Sequence, residues 1–135
     1  MSLYLLDTNM VSFLLSGRSA AARIKLASLA PEDTLSISTV TEGELLFGLA
    51  KAPSVKRRQA LEQFLDPFVI HSWDRKAAAS YGELRARQER IGFKLGPYDT
   101  QIAAHAVALG AILISHDAGF HQVSNLQVED WATDI

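Results

Sequence analysis

The sequence predicts an α/β fold, a three-layer α/β/α domain whose central sheet is mostly parallel. Short apolar runs at 3–6, 35–38, 68–70 and 111–114 are widely spaced, and the stretches between them have helical periodicity. The run at 3–6 is continuous, which is typical of a strand buried on both faces of a parallel sheet. Strands that alternate with helices are joined by crossover connections, so neighbouring strands are expected to run parallel.

The helices are predicted from composition and from signals at their ends. Pro31 stops an Ala- and Leu-rich stretch, and Pro97 and Gly110 mark the start and end of another helix. The predicted helices begin directly after Asp7, cover 19–30, run from Thr39 or Thr41 through Leu49, and cover 54–65, 74–91 and 98–110, with a weak last strand near 126–128. Five positions of 74–91 share one predicted stripe: Ala77, Ala78, Tyr81, Leu84 and Gln88.

Length and composition indicate one domain over residues 1–135. The chain is 48% hydrophobic, which is enough for a single core. It has no cysteine, so disulfides, zinc–thiolate sites and cysteine nucleophiles are excluded, and any metal must be held by oxygen or imidazole. The start of the chain lacks a signal-peptide pattern, and no apolar run reaches membrane-spanning length. We therefore expect a cytoplasmic protein without a membrane segment.

The charge is unevenly distributed, although the net charge is only -2. Residues 51–94 contain 10 of the 13 lysines and arginines but only five of the 15 acids. A basic middle between acidic ends can place a surface that attracts phosphate beside an acidic pocket. The simpler interpretation for any single base is a solvated helix face.

Four acids occupy positions where a strand ends or a helix begins. They are Asp7, Glu44, Asp99 and Asp117. The carboxyl ends of parallel strands meet at one edge of the sheet, where binding crevices open, so these side chains are expected to lie together. Each has a structural alternative, because acids at helix N-termini are stabilised by about 0.3 to 1 kcal/mol. Asp7 in particular is a good N-cap.

A converging set of four carboxylates implies a cation. Two carboxylates about 4 Å apart repel by roughly 4 kcal/mol at an effective dielectric near 20. Oxygen ligands alone suit Mg²⁺ or Mn²⁺, which bind a few carboxylates together with phosphate oxygens. Such an ion activates water as a nucleophile. The chemistry that fits is hydrolysis of a phosphodiester.

Five segments stand out in order and spacing: LLDTN at 5–9, ISTVTEGELLFG at 37–48, LGPYDTQIAAHAVALG at 95–110, ILISHDAGF at 112–120 and VSNLQVEDW at 123–131. Together they resemble PIN-domain ribonucleases of the VapC toxin type. The resemblance covers nearly the whole chain. It implies a single PIN domain with Mg²⁺- or Mn²⁺-dependent endoribonuclease activity on RNA, with transfer RNA as the leading substrate. It also implies a toxin that pairs with a small VapB-type antitoxin and usually forms a homodimer.

The resemblance carries site residues onto this chain. Asp7, Glu44 and Asp99 match metal-site acids, and Asp117 matches a position where relatives have either Asp or Asn. Thr8, Asn9 and Ser115 match polar residues that lie beside those acids. Glu42 lies about 200° from Glu44 around a helix, so it is expected to face away from the pocket; a shift of one step in the alignment exchanges the two roles.

Other residues have weaker signals. None of the four histidines has a recognisable metal-binding spacing; His105 is predicted to lie in the core and His116 to have a structural or solvent role. Phe93 and Trp131 are expected in the core. Tyr98 is a candidate for stacking on an RNA base. The candidates for phosphate contact are Lys94, Arg85, Arg87 and Arg90.

Two other functions compete with the nuclease. A phosphate-accepting receiver domain has similar size and architecture, but it needs a second acid beside the first and a Lys after a late strand, and neither DTN nor ISHD supplies them. A PIN-like binding module without nuclease activity is the other alternative. The complete acid set argues against it, because an inactive site has little reason to keep like charges together.

Overall fold

Five strands, six α-helices and one short 3-10 helix form the fold of the computed structural model, which describes residues 1–135. The predicted strands and helices are all present within a few residues of their predicted bounds, and the 3-10 helix is an addition. In chain order the elements are β1 (Leu3–Leu6), α1 (Thr8–Ser16), α2 (Ala20–Ala27), β2 (Thr34–Ser38), α3 (Thr39–Lys51), α4 (Val55–Leu65), β3 (Val69–His71), α5 (Arg75–Ile91), α6 (Pro97–Leu109), β4 (Ile112–Ile114), the 3-10 helix (Ala118–Gln122) and β5 (Gln127–Glu129).

The central sheet is parallel throughout, in the order β3-β2-β1-β4-β5. This confirms the predicted α/β architecture. The strand order reverses beside β1, which has β2 on one side and β4 on the other. Open parallel sheets have their binding crevice beyond the carboxyl ends of the strands at such a reversal. Asp7 directly follows β1, and Ser115 and Asp117 follow β4.

Two apolar clusters cover the two faces of the sheet. Alternate residues of β1 enter different clusters: Tyr4 and Leu6 join the one that contains Met10, whereas Leu5 joins the one that contains Ile102. Burying a side chain of this size stabilises the fold by about 1.5–3 kcal/mol. A one-residue slip of β1 would exchange the faces of all these side chains, so the burial pattern fixes the register.

The helices begin and end at residues that favour helix termini. Helices α1 to α5 each begin after a Ser or Asp whose side chain accepts a hydrogen bond from a backbone N–H of the first turn. Helix α6 has Pro97 at its start and no side-chain cap. Gly92 ends α5 with φ +82°, a conformation that favours glycine, and leads into the loop before α6. None of the helices combines the length and apolar character needed to cross a lipid bilayer.

Two details differ from the sequence prediction. Ala78, which was placed on the buried stripe of α5, is exposed, whereas Ala77, Leu84 and Gln88 are buried and Tyr81 packs, partly buried, against the core cluster that contains Leu84. The apolar residues Val69 and Ile70 remain 45% and 39% exposed, since β3 is an edge strand. An apolar run therefore predicted this strand correctly without predicting its burial.

His105 lies in the core, as predicted, beside the end of β2. Its side chain is 1% exposed, and its Nδ1 is 2.9 Å from Ser38 Oγ, the side chain that caps α3. The His71 ring packs against it with the centroids 6.3 Å apart, and His71 Nε2 is buried without a hydrogen-bond partner. Burial, and then the nearby His71, lower the pKa of His105, while Asp74 and a hydrogen bond with Ser72 oppose the shift.

We predict that His105 makes the fold sensitive to acid. Its folded pKa is below the unfolded value of 6.5, so the stability that it contributes is fully present above pH 6.5 and is lost as the pH falls toward the folded pKa. The free energy of unfolding of the wild type should therefore fall relative to that of His105→Asn below pH 6.5. Chemical unfolding at several pH values measures this difference. A difference that is independent of pH would contradict the prediction.

Candidate active site

Asp7 stands at the reversal point of the sheet and is almost fully buried, with 5% of its surface exposed. It caps α1, because its Oδ1 accepts a hydrogen bond from Met10 N at 2.9 Å. The Asp7 N–H donates to Ile114 O at 3.1 Å, which ties it to the end of β4. Both interpretations of the sequence therefore apply to Asp7: it is a helix cap, and it lies at the predicted site.

Glu44 reaches the same edge from α3. Its Oε1 accepts a hydrogen bond from Thr8 Oγ1 at 2.8 Å, and Thr8 Oγ1 also lies 3.4 Å from Thr41 Oγ1. Thr8 follows Asp7 in the chain, so this bond joins the start of α1 to the second turn of α3. Thr8 thus positions the Glu44 carboxylate.

Asp117 lies at the same edge of the sheet, in the loop after β4. Its Oδ1 accepts a hydrogen bond from Gly119 N at 2.8 Å, and its own N–H donates to Ser115 Oγ at 3.0 Å. A Cβ on Gly119 would lie 3.2 Å from Asp117 Oδ1 and 3.3 Å from Leu95 Cδ2. The absence of a side chain at 119 thus lets the Asp117 loop approach the loop that leads to Asp99.

The four acids act on one another electrostatically. Burial raises the pKa of Asp7 to about 6, and the charges of Asp99 and Asp117 add to this effect, although hydrogen bonds from Ser115 and Met10 N–H oppose it. The pKa of Asp99 is raised by burial, then by Asp117 and Glu44. The structure therefore brings together the four acids that the sequence singled out, at the predicted edge of the sheet.

The donor set fits a hard divalent cation. All the converging groups are oxygens. Burial, and then the neighbouring like charges, raise the pKa of Asp7 and Asp99, and a bound cation would favour their ionised forms. As the side chains lie, no three of the chain's carboxyl and imidazole groups form a cluster that could hold a metal ion. Mg²⁺ usually keeps several waters and takes only one or two carboxylates directly, which suits a set this open.

Some predicted residues lie away from these acids. Asn9 is exposed and makes no side-chain hydrogen bond with them, because the first turn of α1 points it to solvent. Glu42 is half-buried and has no hydrogen-bonded link to the acids, as expected from its angle to Glu44. His116 is exposed and pairs with Asp130, with Nδ1 to Oδ2 at 2.8 Å, in agreement with a structural role.

The candidate RNA-contacting residues lie on α5, on the loop after it and at the start of α6. Tyr98 is 58% exposed, and Lys94, Arg87 and Arg90 are exposed and make no ion pair. Arg85 differs, because its Nη1 donates to Tyr81 Oη at 3.2 Å and its Nε lies 3.5 Å from Glu89. Phe93 and Trp131 are buried, as predicted.

Sequence reasoning missed two contributors to this edge of the sheet. Thr41 is fully buried beside Thr8, and Gln88 is held by a hydrogen bond from its Nε2 to Thr100 Oγ1 at 3.2 Å. A polar residue on an otherwise apolar stripe was the only available signal for Gln88. Thr41 carried no signal, since a Thr in the first turn of a helix is common.

A parallel α/β sheet with an acidic crevice at its edge defines a class of protein. Comparison with known families identifies that class. The family model of the PIN domain matches residues 4–126, and the chain belongs to the PIN-domain family. Within that family its named relatives are VapC ribonucleases. The chain is 32% identical over 131 residues to "Ribonuclease VapC2" of Rickettsia felis and to "tRNA(fMet)-specific endonuclease VapC" of Shigella flexneri, covering 96% of this chain and 98% of each relative.

Solved structures agree with this placement. The fold matches VapBC2 from Rickettsia felis, solved bound to a DNA fragment from its promoter, with a TM-score of 0.90 and 31% identity. It matches VapBC-1 from nontypeable Haemophilus influenzae with a TM-score of 0.87 and 28% identity. Each match covers 96% of this chain and 98% of the other. The predicted family and fold are therefore confirmed.

Proposed function

We propose that this protein is a cytoplasmic, Mg²⁺- or Mn²⁺-dependent endoribonuclease that acts as the toxin of a toxin–antitoxin pair. The observation that carries the proposal is the buried Asp7, whose pKa is raised to about 6 in a crevice that it shares with Asp99 and Asp117. A fold does not by itself keep like charges together at a sheet edge, whereas a cation site requires them. Membership in the family of named VapC ribonucleases supports the same chemistry.

Each acid has a role in this proposal. Asp7, Glu44, Asp99 and Asp117 would hold the divalent ion. When bound, the ion would lower the pKa of a water to make a nucleophile and neutralise charge on the phosphodiester oxygens. Thr8 keeps the Glu44 carboxylate oriented, and the Met10 N–H keeps Asp7 in place. Lys94, Arg87 and Arg90 are free to contact RNA phosphates, and exposed Tyr98 offers a ring on which a base can stack.

Substrate and partners follow from the relatives. One relative is named for cleavage of tRNA(fMet), so transfer RNA is the leading substrate. The similar structures are described as VapBC, and one other is described as a toxin–antitoxin complex from Klebsiella pneumoniae. We therefore propose that this chain pairs with a small VapB-type antitoxin and forms a homodimer. In this proposal the antitoxin restrains a nuclease that would otherwise harm its host.

Incubation with RNA tests the proposal. The purified chain is mixed with total cellular RNA in Mg²⁺, Mn²⁺ or EDTA, and the new RNA ends are mapped by sequencing. We expect discrete ends in either metal and none in EDTA. Asp99→Asn should lower cleavage by at least about 100-fold, because charge stabilisation by a bound ion is worth several kcal/mol.

Glu42→Gln is the matched control for this experiment. It removes an acid from the same helix as Glu44 but outside the four-acid crevice, so it should keep full activity. Wild-type activity in Asp99→Asn would overturn the assignment of the site. If folded wild-type protein, free of antitoxin, cleaves no RNA in either metal, the chain is a PIN-like binding module.

A further inference from the structure

A polar groove lies between α5 and α6, beside the helix turn that carries Asp99. We call it the α5–α6 groove; it has a volume of about 240 Å³. A second hollow, which shares Arg85, Gln88 and Leu95 with it, continues beneath the loop between the two helices. The residues that line the groove are Tyr81, Arg85, Gln88, Leu95, Pro97 and Thr100.

Gln88 presents a fixed amide in this groove. Thr100 Oγ1 donates its proton to Gly96 O at 3.0 Å, so toward Gln88 it can only accept a hydrogen bond. The Gln88 contact, at 3.2 Å, must therefore come from Nε2, which sets the orientation of the amide. The remaining amide oxygen has no partner in the protein, yet it is not sealed from solvent. Gln88 is buried as a whole but lines the α5–α6 groove, so this free hydrogen-bonding capacity lies at the groove wall.

The groove adjoins the acidic crevice through consecutive residues of α6. Asp99 interacts with Asp117 and Glu44, while its neighbour Thr100 contacts Gln88. A single strand of RNA with one phosphate at the acids can thus place an adjacent base near the groove. The Gln88–Thr100 bond also holds the two helices together at this turn, so the geometry of the groove is coupled to that of Asp99.

The surroundings of the groove suit a nucleotide. Tyr81 and Arg85 form one wall, and a guanidinium or aromatic ring is a surface on which bases stack. Lys94, which lines the continuation, makes no ion pair and is free to meet a phosphate. A Leu at position 88 would fill the stripe of α5 but would lose the bond to Thr100. That bond uses only Nε2, so it does not account for the amide oxygen of the glutamine.

We propose that the α5–α6 groove binds an adenine base of the RNA adjacent to the cleaved phosphate, and that Gln88 determines this preference. A glutamine amide pairs with adenine in a bidentate manner: its oxygen accepts from N6, and its N–H donates to N7. The second Nε2 hydrogen of Gln88 is available for this, since only one is used by Thr100. The inference rests on the proposed function, because it assumes that the crevice binds RNA.

Binding to short homopolymers tests the inference without cleavage. Fluorescence anisotropy measures the affinity of the full chain for labelled oligoadenylate, oligocytidylate and oligouridylate in Ca²⁺, a hard divalent cation that takes the same oxygen ligands, and gels establish that the oligomers stay intact. We expect the wild type to bind oligoadenylate about tenfold more tightly than the other two. Gln88→Leu, and the nearly isosteric Gln88→Glu, which cannot donate to N7, should both lose this preference. Thermal unfolding establishes that each variant is folded.

Arg87→Ala is the control, because Arg87 is exposed and outside the groove lining; it should weaken all three oligomers equally. Equal affinities in the wild type, or a preference that survives in both folded Gln88 variants, would overturn the inference. Metal-dependent cleavage of cellular RNA by the same protein would support the proposed nuclease function even if the groove has no preference for adenine. If the protein neither binds nor cleaves RNA, both the nuclease function and the adenine preference are wrong.

Discussion

Asp7→Asn is expected to abolish RNA cleavage and at the same time to make the protein more stable. Asp7 is buried, and its pKa is raised from 3.8 to about 6, so its ionised form is disfavoured in the folded chain. At pH 8 without metal, this difference corresponds to about 3 kcal/mol of lost stability. Asparagine removes the charge and keeps the cap to Met10 N, because Asn and Asp cap helices about equally well.

The direction of the pKa shift of Asp7 fixes how the stability gain of Asp7→Asn depends on pH. A carboxyl whose folded pKa is raised contributes stability below the unfolded value of 3.8 and loses that contribution as the pH rises through 6. The advantage of Asp7→Asn should therefore be near zero below pH 4 and reach up to about 3 kcal/mol at pH 8. Chemical unfolding in EDTA at a series of pH values measures it. A variant less stable than the wild type at pH 8 would contradict the prediction.

Asp74→Asn provides a matched control at another helix cap. Asp74 caps α5 through a hydrogen bond from Ala77 N, but it is exposed, and that bond lowers the pKa of its carboxyl. Its ionised form is favoured in the folded chain, so removing the charge should not stabilise the protein at neutral pH. The same substitution at two caps thus gives opposite results, and RNA cleavage should survive only in Asp74→Asn.

The fold was largely predictable because its elements have strong local signals. The runs that predict β1, β3 and β4 are continuous and apolar, and Pro97 and Gly110 delimit α6. Exposure was less predictable, since Val69 and Ile70 have the composition of a buried strand but lie at the sheet edge. Strand order sets that exposure, and order depends on contacts that are distant in sequence.

The positions of the acids were predictable, whereas the bonds that hold them were not. Parallel strands bring their carboxyl ends to one edge, and that rule alone placed Asp7 and Asp117 together. The bond from Thr8 to Glu44 joins residues 36 positions apart. The 3-10 helix after Asp117 is too short to leave a periodic pattern, and Asn9 shows that a residue adjacent to the site in sequence can point away from it.

Removal of metal is expected to lower the stability of the wild type. A ligand that binds only the folded chain stabilises it by about 2.7 kcal/mol when its concentration is 100 times its dissociation constant. For a chain of this length, this corresponds to a rise in the melting temperature of roughly 8 °C in Mg²⁺ or Mn²⁺ relative to EDTA. Asp7→Asn and Asp99→Asn should show little of this rise, and Glu42→Gln should show all of it.

Metal binding should also remove the pH dependence that Asp7 imposes. Protons compete with the ion for the Asp7 carboxylate, so below pH 6 the apparent metal affinity should fall by about tenfold per pH unit. In EDTA the contribution of Asp7 to stability decreases as the pH rises through 6, whereas in saturating Mg²⁺ the carboxyl is unprotonated throughout, so the stability should be nearly independent of pH over the same range. Melting curves of the wild type at pH 5 and pH 8 distinguish these slopes. Equal melting temperatures in EDTA, Mg²⁺ and Mn²⁺ at pH 8 would show that the four carboxylates hold no divalent ion, and that their mutual repulsion needs another explanation.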